Sequence, residues 1–458
     1  MTLIRKDVIK LTLPVFAEQL FVMSMGMINT IMAGNIGNEA GKQAVAAIGM
    51  VDSVNNIFIA FFSALAVGGT VVVAQFTGKG NPKKANLAMK QALYSSFLIS
   101  IVLTLILWIF KMPFLHFLFG SAEKSVMEAA ITYLQINIVT YPLIAIFMIC
   151  SGVLRGSGDM KTPMKITIFM NVLNVILSYL LIYGLEFGNA HFKAALPALG
   201  IKGAALGIAL ARASGTLVIL LVLLRGSRML KLTKLTKFTF DKELLGPIFG
   251  IGIPASIESL VFNGGKLITQ IYIVGMGTVA MASNSISGSI GGMINIPGNA
   301  LCIAATTLVG QYMGKGDGDE AEKCLSYIIK LSTVFLMLLG ITSIPLAGFL
   351  PSLYNNNPDI IELCRKLIIM NAVCIPLWSI SFIVPSGLKG AGDAKYTLIT
   401  SLIGMWVFRI TLGYFLGIPL GMGLVGVWLG MFIDWGVRGV LYLLRFKHGR
   451  WKSNVVLK

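Results

Sequence analysis

Seven ionisable residues stand inside long apolar runs of this chain: Glu18, Arg212, Glu258, Lys266, Arg409, Asp434 and Arg438. An ionised side chain near the centre of a bilayer costs at least about 2.5–3.5 kcal/mol on insertion scales, so each needs a reason to be there. Glu258 lies one helical turn beyond Pro254. A carboxyl in a dry helical bundle can hold a proton and release it when its surroundings wet, and the same oxygens could ligate Na+ with neighbouring carbonyls. Glu18 stands in the same relation to Pro14, nearer a basic N-terminus. The competing reading of both is a carboxylate near a helix start that caps it or pairs with a basic loop. Lys266 follows Asn263-Gly264-Gly265, whose glycines weaken a helix and allow close backbone approach. Its ammonium could meet a carboxylate, bind a substrate anion, alternate with a coupling ion, or snorkel to the outer interface. Glu258 and Lys266 are about 12 Å apart along one straight helix and cannot pair within it. Asp434 and Arg438, at i and i+4, can neutralise each other, whereas Arg212 and Arg409 have no local partner in the sequence.

Other chemistries lack their residues. No HExxH, Asp-rich metal motif, or Ser/His or Cys/His constellation occurs, so neither an enzyme nor a metal centre is expected. The five cysteines are scattered without a CxxC and read as small buried hydrophobes. The net charge of +18 is gathered in short loops, which argues against a nucleic-acid partner.

The elements that carry these residues are membrane spans. The chain is 56% hydrophobic and 12% charged, with a mean hydropathy of +0.83, and a soluble protein would carry about twice that charged fraction. Apolar runs long enough for about 30 Å of hydrocarbon recur throughout, and their length excludes a β-barrel. Twelve spans are expected: 10–34, 46–78, 88–110, 128–153, 163–186, 199–224, 246–275, 281–313, 325–349, 361–387, 396–418 and 423–446. The first run is too long for a signal-peptide core and reads as a transmembrane helix. Lys79, Lys83, Lys84, Arg155, Lys161, Lys315, Lys389 and Lys395 mark the inside loops, so both termini are expected in the cytoplasm.

The chain repeats itself. Leu154-Arg155-Gly156-Ser157-Gly158-Asp159 returns as Leu388-Lys389-Gly390-Ala391-Gly392-Asp393. Gln75-Phe76-Thr77-Gly78-Lys79-Gly80 returns as Gln311-Tyr312-Met313-Gly314-Lys315-Gly316, and Pro14 with Glu18 returns as Pro254 with Glu258. Three echoes in one order imply duplication. Six spans precede the basic linker 225–245 and six follow it. The even number makes the repeat parallel, with expected bundles 1–224 and 246–458. Arg155 and Lys389 end a helix, where its dipole favours cations, and Asp159 and Asp393 precede the next, where Asp caps well. The repeated element therefore reads as a structural elbow, with a gate to acids of the other half as the alternative.

On these motifs the chain resembles the multidrug and toxic compound extrusion family over essentially its whole length. Trp406-Val407-Phe408-Arg409, Asp434-Trp435 with Arg438, and the Gly-Arg-Trp-Lys tail at 449–452 add to the likeness. The resemblance implies an all-α, twelve-helix membrane protein whose two bundles form a V-shaped cavity. It also implies export of amphiphilic, often cationic compounds in exchange for inward Na+ or H+, by a monomer needing no other cofactor. The familiar ion sites do not carry over. Where one branch has a span 1 Asp and a span 5 Asn…Asp pair, this chain has Asn29, Asn174 and Ser178. The span 10 Asp of another branch falls near Trp378. Neutral oxygens can ligate a cation but cannot titrate near neutrality, which leaves Glu258 and Glu18 as the expected proton carriers. Lys266, Asn263, Arg409 and Arg212 are the candidates for the cavity or its charge network. The 23 Met and 26 Phe suit an adaptable apolar pocket without singling out any one. A lipid-linked oligosaccharide flippase of the related superfamily, a non-transporting membrane protein and an ion channel are the other readings.

Overall fold

The computed structural model describes residues 2–34, 38–120, 122–187, 194–233 and 240–453. His191, Lys193, Lys234 and Lys237 lie outside the described residues, as do the side chains of Asn29 and Lys42. Among the described residues the regular structure is helical apart from a short ladder between β1 (Leu185–Phe187) and β2 (Ala194–Leu196). The helices are α1 (Thr2–Gly34), α2 (Asn38–Gly78), α3 (Pro82–Phe119), α4 (Lys124–Val139), α5 (Tyr141–Gly156), α6 (Lys161–Tyr183) and α7 (Ile201–Arg225). After the linker come α8 (Lys242–Val274), α9 (Thr278–Gly314), α10 (Gly318–Ser343), the short α11 (Phe349–Ser352), α12 (Pro358–Gly390), α13 (Ala394–Ile403), a π-helical segment (Gly404–Leu412), α14 (Gly413–Gly417) and α15 (Gly423–Lys447).

Ten helices among the described residues are long and apolar enough to cross a membrane, and the α4–α5 pair, bent by 49°, counts as one more. α1 is not among these eleven; counted with them, it is consistent with the twelve-helix layout expected. The fourth departs from its expected form. Residues 128–153 were one helix by hydropathy, but the run breaks at Thr140, between α4 and α5. Pro142 lacks an N–H and crowds the preceding turn, which apolarity alone does not register.

Contacts divide the chain into two compact units. One, the carboxy-terminal unit, contains Met1–Phe16, Val71–Asn81 and Gly246–Lys458, and the amino-terminal unit contains Ala17–Thr70 and Pro82–Leu245. The amino-terminal unit is centred on Val51, Val54, Phe62, Tyr133, Leu134 and Tyr141, all within 1% of complete burial. The core of the carboxy-terminal unit runs from Leu336, Leu367 and Ile375 to Trp378, Phe432 and Trp435.

The repeated Gln-x-x-Gly ends of α2 and α9 meet within the carboxy-terminal unit. A Cβ on Gly78 would run into the Gln311 carbonyl, and one on Gly314 into the Gln75 carbonyl. The two motifs are therefore each other's packing surface, and the Gln75 side-chain amide donates to the Gly390 carbonyl at 3.2 Å. Gly314→Val would place a branched side chain against backbone that cannot yield. Overpacking of this kind costs about 1–3 kcal/mol, so the thermal midpoint of the purified protein should fall by several degrees. An unchanged midpoint would show that the two ends do not pack this closely.

Candidate functional site

Each repeat holds its membrane carboxylate in the same way. In the amino-terminal unit, Glu18 on α1 is 4% exposed and accepts from Arg155 Nη2 at 2.7 Å and Thr167 Oγ1 at 2.9 Å. In the carboxy-terminal unit, Glu258 on α8 meets Lys389 Nζ at 2.9 Å and accepts from Thr397 Oγ1 at 3.1 Å and Ser401 Oγ at 3.0 Å. Tyr442 stands behind this cluster, its hydroxyl 3.0 Å from Ser401 Oγ and donating to the Thr397 carbonyl. Arg155 and Lys389 are the basic residues of the repeated elbows, each in the last turn of its helix. Each elbow cation thus reaches the acid of its own repeat.

The two elbow aspartates have different partners. The Asp159 carboxylate accepts from the Thr162 amide at 3.1 Å, from Thr162 Oγ1 at 2.7 Å and from Ser227 Oγ at 2.5 Å. It thereby holds a first-turn amide of α6 from one residue before the N-cap position, which Met160 occupies. Asp393 precedes α13 but makes no side-chain cap, because Arg445 Nε takes its carboxylate at 2.7 Å. A charge-assisted bond is stronger than a neutral one and wins the competition. Burial pushes the Asp159 carboxyl up, but the bonds from Ser227 and Thr162, with Arg228 nearby, outweigh it and hold it below the ordinary value.

The remaining candidates of the amino-terminal unit satisfy one another. Ser178 Oγ donates to Asn174 Oδ1 at 3.0 Å, one turn apart on α6, both buried. Gly207 of α7 packs so closely on them that a Cβ there would overlap Ser178. Asn29 lies on α1 with its side chain outside the described residues. Arg212, without a local partner in the sequence, donates to Asn137 Oδ1 at 2.7 Å and Thr140 Oγ1 at 2.9 Å, at the break between α4 and α5. The break and the buried cation therefore belong together.

A cavity of about 540 Å³ opens inside the carboxy-terminal unit, within the usual range for drug-sized ligands. Lys266 of α8 and Arg409 of the π-helical segment line it, beside Phe262, Trp378, Phe382 and Trp435. Asn263 does not. Its amide donates to the Ser259 carbonyl of its own helix at 2.8 Å. Trp378 and Phe382 stack at 4.7 Å, and Phe262 meets Phe382 edge-on at 6.1 Å. One methionine, Met431, lines the cavity with Phe262 and Phe382, and three of the six tryptophans face the same space. Behind the wall, Arg438 and Asp434 form the expected pair with bonds of 2.6 and 2.9 Å, and Asp434 is completely buried. Arg409 approaches the same carboxylate at 4.0 Å. Two local features admit it. The π-helical segment widens the backbone, as such segments commonly do at functional sites, and at Gly404 any Cβ would strike Asp434 and Arg438.

Sequence reasoning missed the polar stripe of α9. Asn284, Gly288, Gly291, Gly292, Asn295 and Asn299 all line the cavity. Their spacing of three and four residues places them on one helix face, a signal readable in an otherwise apolar span. No carboxylate stands among the residues that line this space.

Two outcomes test these assignments. Asp434→Asn leaves three cations together without a charge to answer them. Removing one partner of a buried pair costs about 3–5 kcal/mol, so the variant should lose most of its folded yield on size-exclusion chromatography. Asp159→Asn has a pH signature. A carboxyl held below its ordinary value stabilises the fold above that value and stops doing so as the pH falls through the depressed one. The variant should melt lower than the parent at pH 7 by about 1 kcal/mol of stability, with the gap closing towards pH 3. A gap independent of pH would remove the carboxylate from the elbow.

A model of the MatE family matches residues 14–180 and 254–415. The chain is 31% identical over 449 residues to the uncharacterized transporter YisQ of Bacillus subtilis, covering 97% of this chain and 93% of that one. It is 27% identical to the probable multidrug resistance protein NorM of Thermotoga maritima, covering 99% and 94%. A crystal structure of MATE in the bent conformation superposes with a TM-score of 0.87 at 19% identity, over 97% of this chain and 95% of that one, which shows the shared fold.

Proposed function

The chain belongs to the MatE family of multidrug efflux transporters, and we propose that it exports amphiphilic compounds across the plasma membrane in exchange for inward H+ or Na+. It acts as a monomer of two six-helix halves, 1–224 and 246–458, joined by the basic linker 225–245. The elbow cations Arg155 and Lys389 mark the cytoplasmic side, which puts both termini there.

The observation that carries the coupling is the doubled clasp, Glu18 with Arg155 and Thr167, and Glu258 with Lys389, Thr397 and Ser401. A carboxylate so held has two exclusive partners, the elbow cation or an arriving ion. A proton or Na+ that takes the carboxylate releases the ammonium or guanidinium, and departure of the ion restores the pair. Because Lys389 ends α12 and Thr397 and Ser401 lie on α13, the exchange acts on the turn that joins two helices. Any ligand that binds one arrangement better shifts the population towards it, and this is what alternating access requires. Asn174 and Ser178 offer neutral oxygens only and do not titrate near neutrality.

The test is reconstitution in liposomes with a pH gradient or a Na+ gradient imposed separately, following a fluorescent amphiphile. One of the gradients should drive transport, and which one identifies the ion. Transport indifferent to both would sink the antiport reading. Glu258→Gln should reduce gradient-driven transport at least ten-fold while the protein still purifies, and full coupling in that variant would take Glu258 out of the mechanism.

A further inference from the structure

The cavity of the carboxy-terminal unit gathers more positive charge than the chain balances. Lys266 Nζ and the guanidinium carbons of Arg409 and Arg438 lie 4.7, 5.2 and 5.7 Å from the centroid of the single ring of Phe262. Asp434 is the acid paired with this group, and both its oxygens are engaged by Arg438. Arg409 stands 4.0 Å from Asp434 Oδ2, beyond hydrogen-bond reach. Its Nη1, the atom that faces this carboxylate, is buried and has no hydrogen-bond acceptor within reach. Two more buried groups on the same wall, Trp435 Nε1 and Ser287 Oγ, also have no partner. Lys266 makes no ion pair among the described residues.

Buried polar groups are nearly always hydrogen-bonded, and orphans grouped around one space call for an explanation. Here the orphans include a guanidinium N–H, an indole N–H and a hydroxyl, beside an ammonium without a counter-ion. The face of Phe262 offers the cations partial compensation through its ring quadrupole, which helps the cluster persist when the space is empty. What the group lacks is an acceptor that carries negative charge. Trp378, Phe382 and Trp428 add flat apolar walls to the same space.

We propose that this cavity binds an amphiphile with a planar apolar body and an anionic head, of the aryl carboxylate class, its charge answered by Lys266 and Arg409. The ring system lies among the tryptophans and Phe382, and Trp435 Nε1 and Ser287 Oγ complete the hydrogen bonding. Calling this ligand cargo rests on the exporter reading above, whereas its binding does not. The charge class expected from the family resemblance, a cation, finds two like charges and no carboxylate in this wall.

Isothermal titration calorimetry of the full chain in nanodiscs of zwitterionic lipid tests it, with empty nanodiscs as the background. The probes are naphthalene-2-acetate, its neutral amide and the naphthyl-ethylammonium analogue. The carboxylate should bind at least ten-fold more tightly than either analogue. Lys266→Met should cut that preference to below three-fold while leaving amide binding unchanged, and Lys266→Glu should turn the preference towards the ammonium. Binding of the three probes within three-fold of one another, tighter binding of the ammonium, no saturable binding at all, or a full preference retained in Lys266→Met would each overturn the proposal. Adding phosphatidylglycerol to the nanodiscs distinguishes a lipid headgroup as the occupant, and its displacing the carboxylate would overturn the aryl carboxylate assignment. Gradient-driven transport is read separately. Its failure with the anion preference intact would remove the exporter reading and leave the site, and the converse result would do the opposite.

Discussion

A charge inside hydrocarbon must find its counter-charge or its hydrogen bonds within the chain, because lipid offers neither. Much of this molecule's polar architecture follows from that. Glu18 and Glu258 sit where the elbow cations can reach them, and the elbows are built from glycines that let the chain turn tightly enough to bring Arg155 and Lys389 into range. Gly158 and Gly392 have φ of +83° and +96°, a region that L residues rarely adopt, which explains why both copies keep glycine there. Arg212 is accommodated by the side-chain oxygens of Asn137 and Thr140 beside the break between α4 and α5. Asp434 is accommodated by Arg438 at i+4 and by the missing side chain of Gly404.

Duplication supplied the same solution twice and then allowed the copies to part. The clasps correspond closely: Arg155 and Thr167 stand to Lys389 and Ser401 at the same separation in sequence, and each set holds the glutamate of its own repeat. The interiors do not correspond. The amino-terminal unit answers its buried cation with neutral oxygens from Asn137 and Thr140. The carboxy-terminal unit concentrates cations around Phe262, and two of them, Lys266 and Arg409, line a cavity. The part shared by the two copies keeps charges satisfied at the elbows, and the divergent part lines a cavity.

The sequence was informative wherever the physics is one-dimensional. Apolar run length reports on burial in lipid directly, and the helices Lys161–Tyr183 and Pro358–Gly390 follow the expected spans closely, whereas Pro82–Phe119 runs well past its expected span at both ends. The i, i+4 pairing of Asp434 and Arg438 is local and was legible for the same reason. The aspartates show where local reasoning stops. Asp159 and Asp393 occupy equivalent places in one motif, yet the first accepts from the Thr162 amide in the first turn of its helix and the second is taken by Arg445, a residue 52 positions away. Glu258 stands out in the sequence as a carboxylate in an apolar run, but Thr397, Ser401 and Tyr442 around it come from other helices and carry no signal of their own.

By itself the sequence determined twelve spans, a duplication, the positions of the elbows and a short roster of membrane charges, because each of these depends on neighbours along the chain or on a motif that recurs. Only the tertiary structure decided which charges meet. It brought Lys266, Arg409 and Arg438 around one phenyl ring, set the three tryptophans and the α9 asparagines on a common space, and left Arg409 with bonding capacity unused. Those residues come from α8, α9, α12, the π-helical segment and α15, and the distance between helices in space is set by packing, by glycines at crossings and by a local change of helix type. None of these is a property of sequence separation, and the polarity of the cavity therefore appears only when the chain is folded.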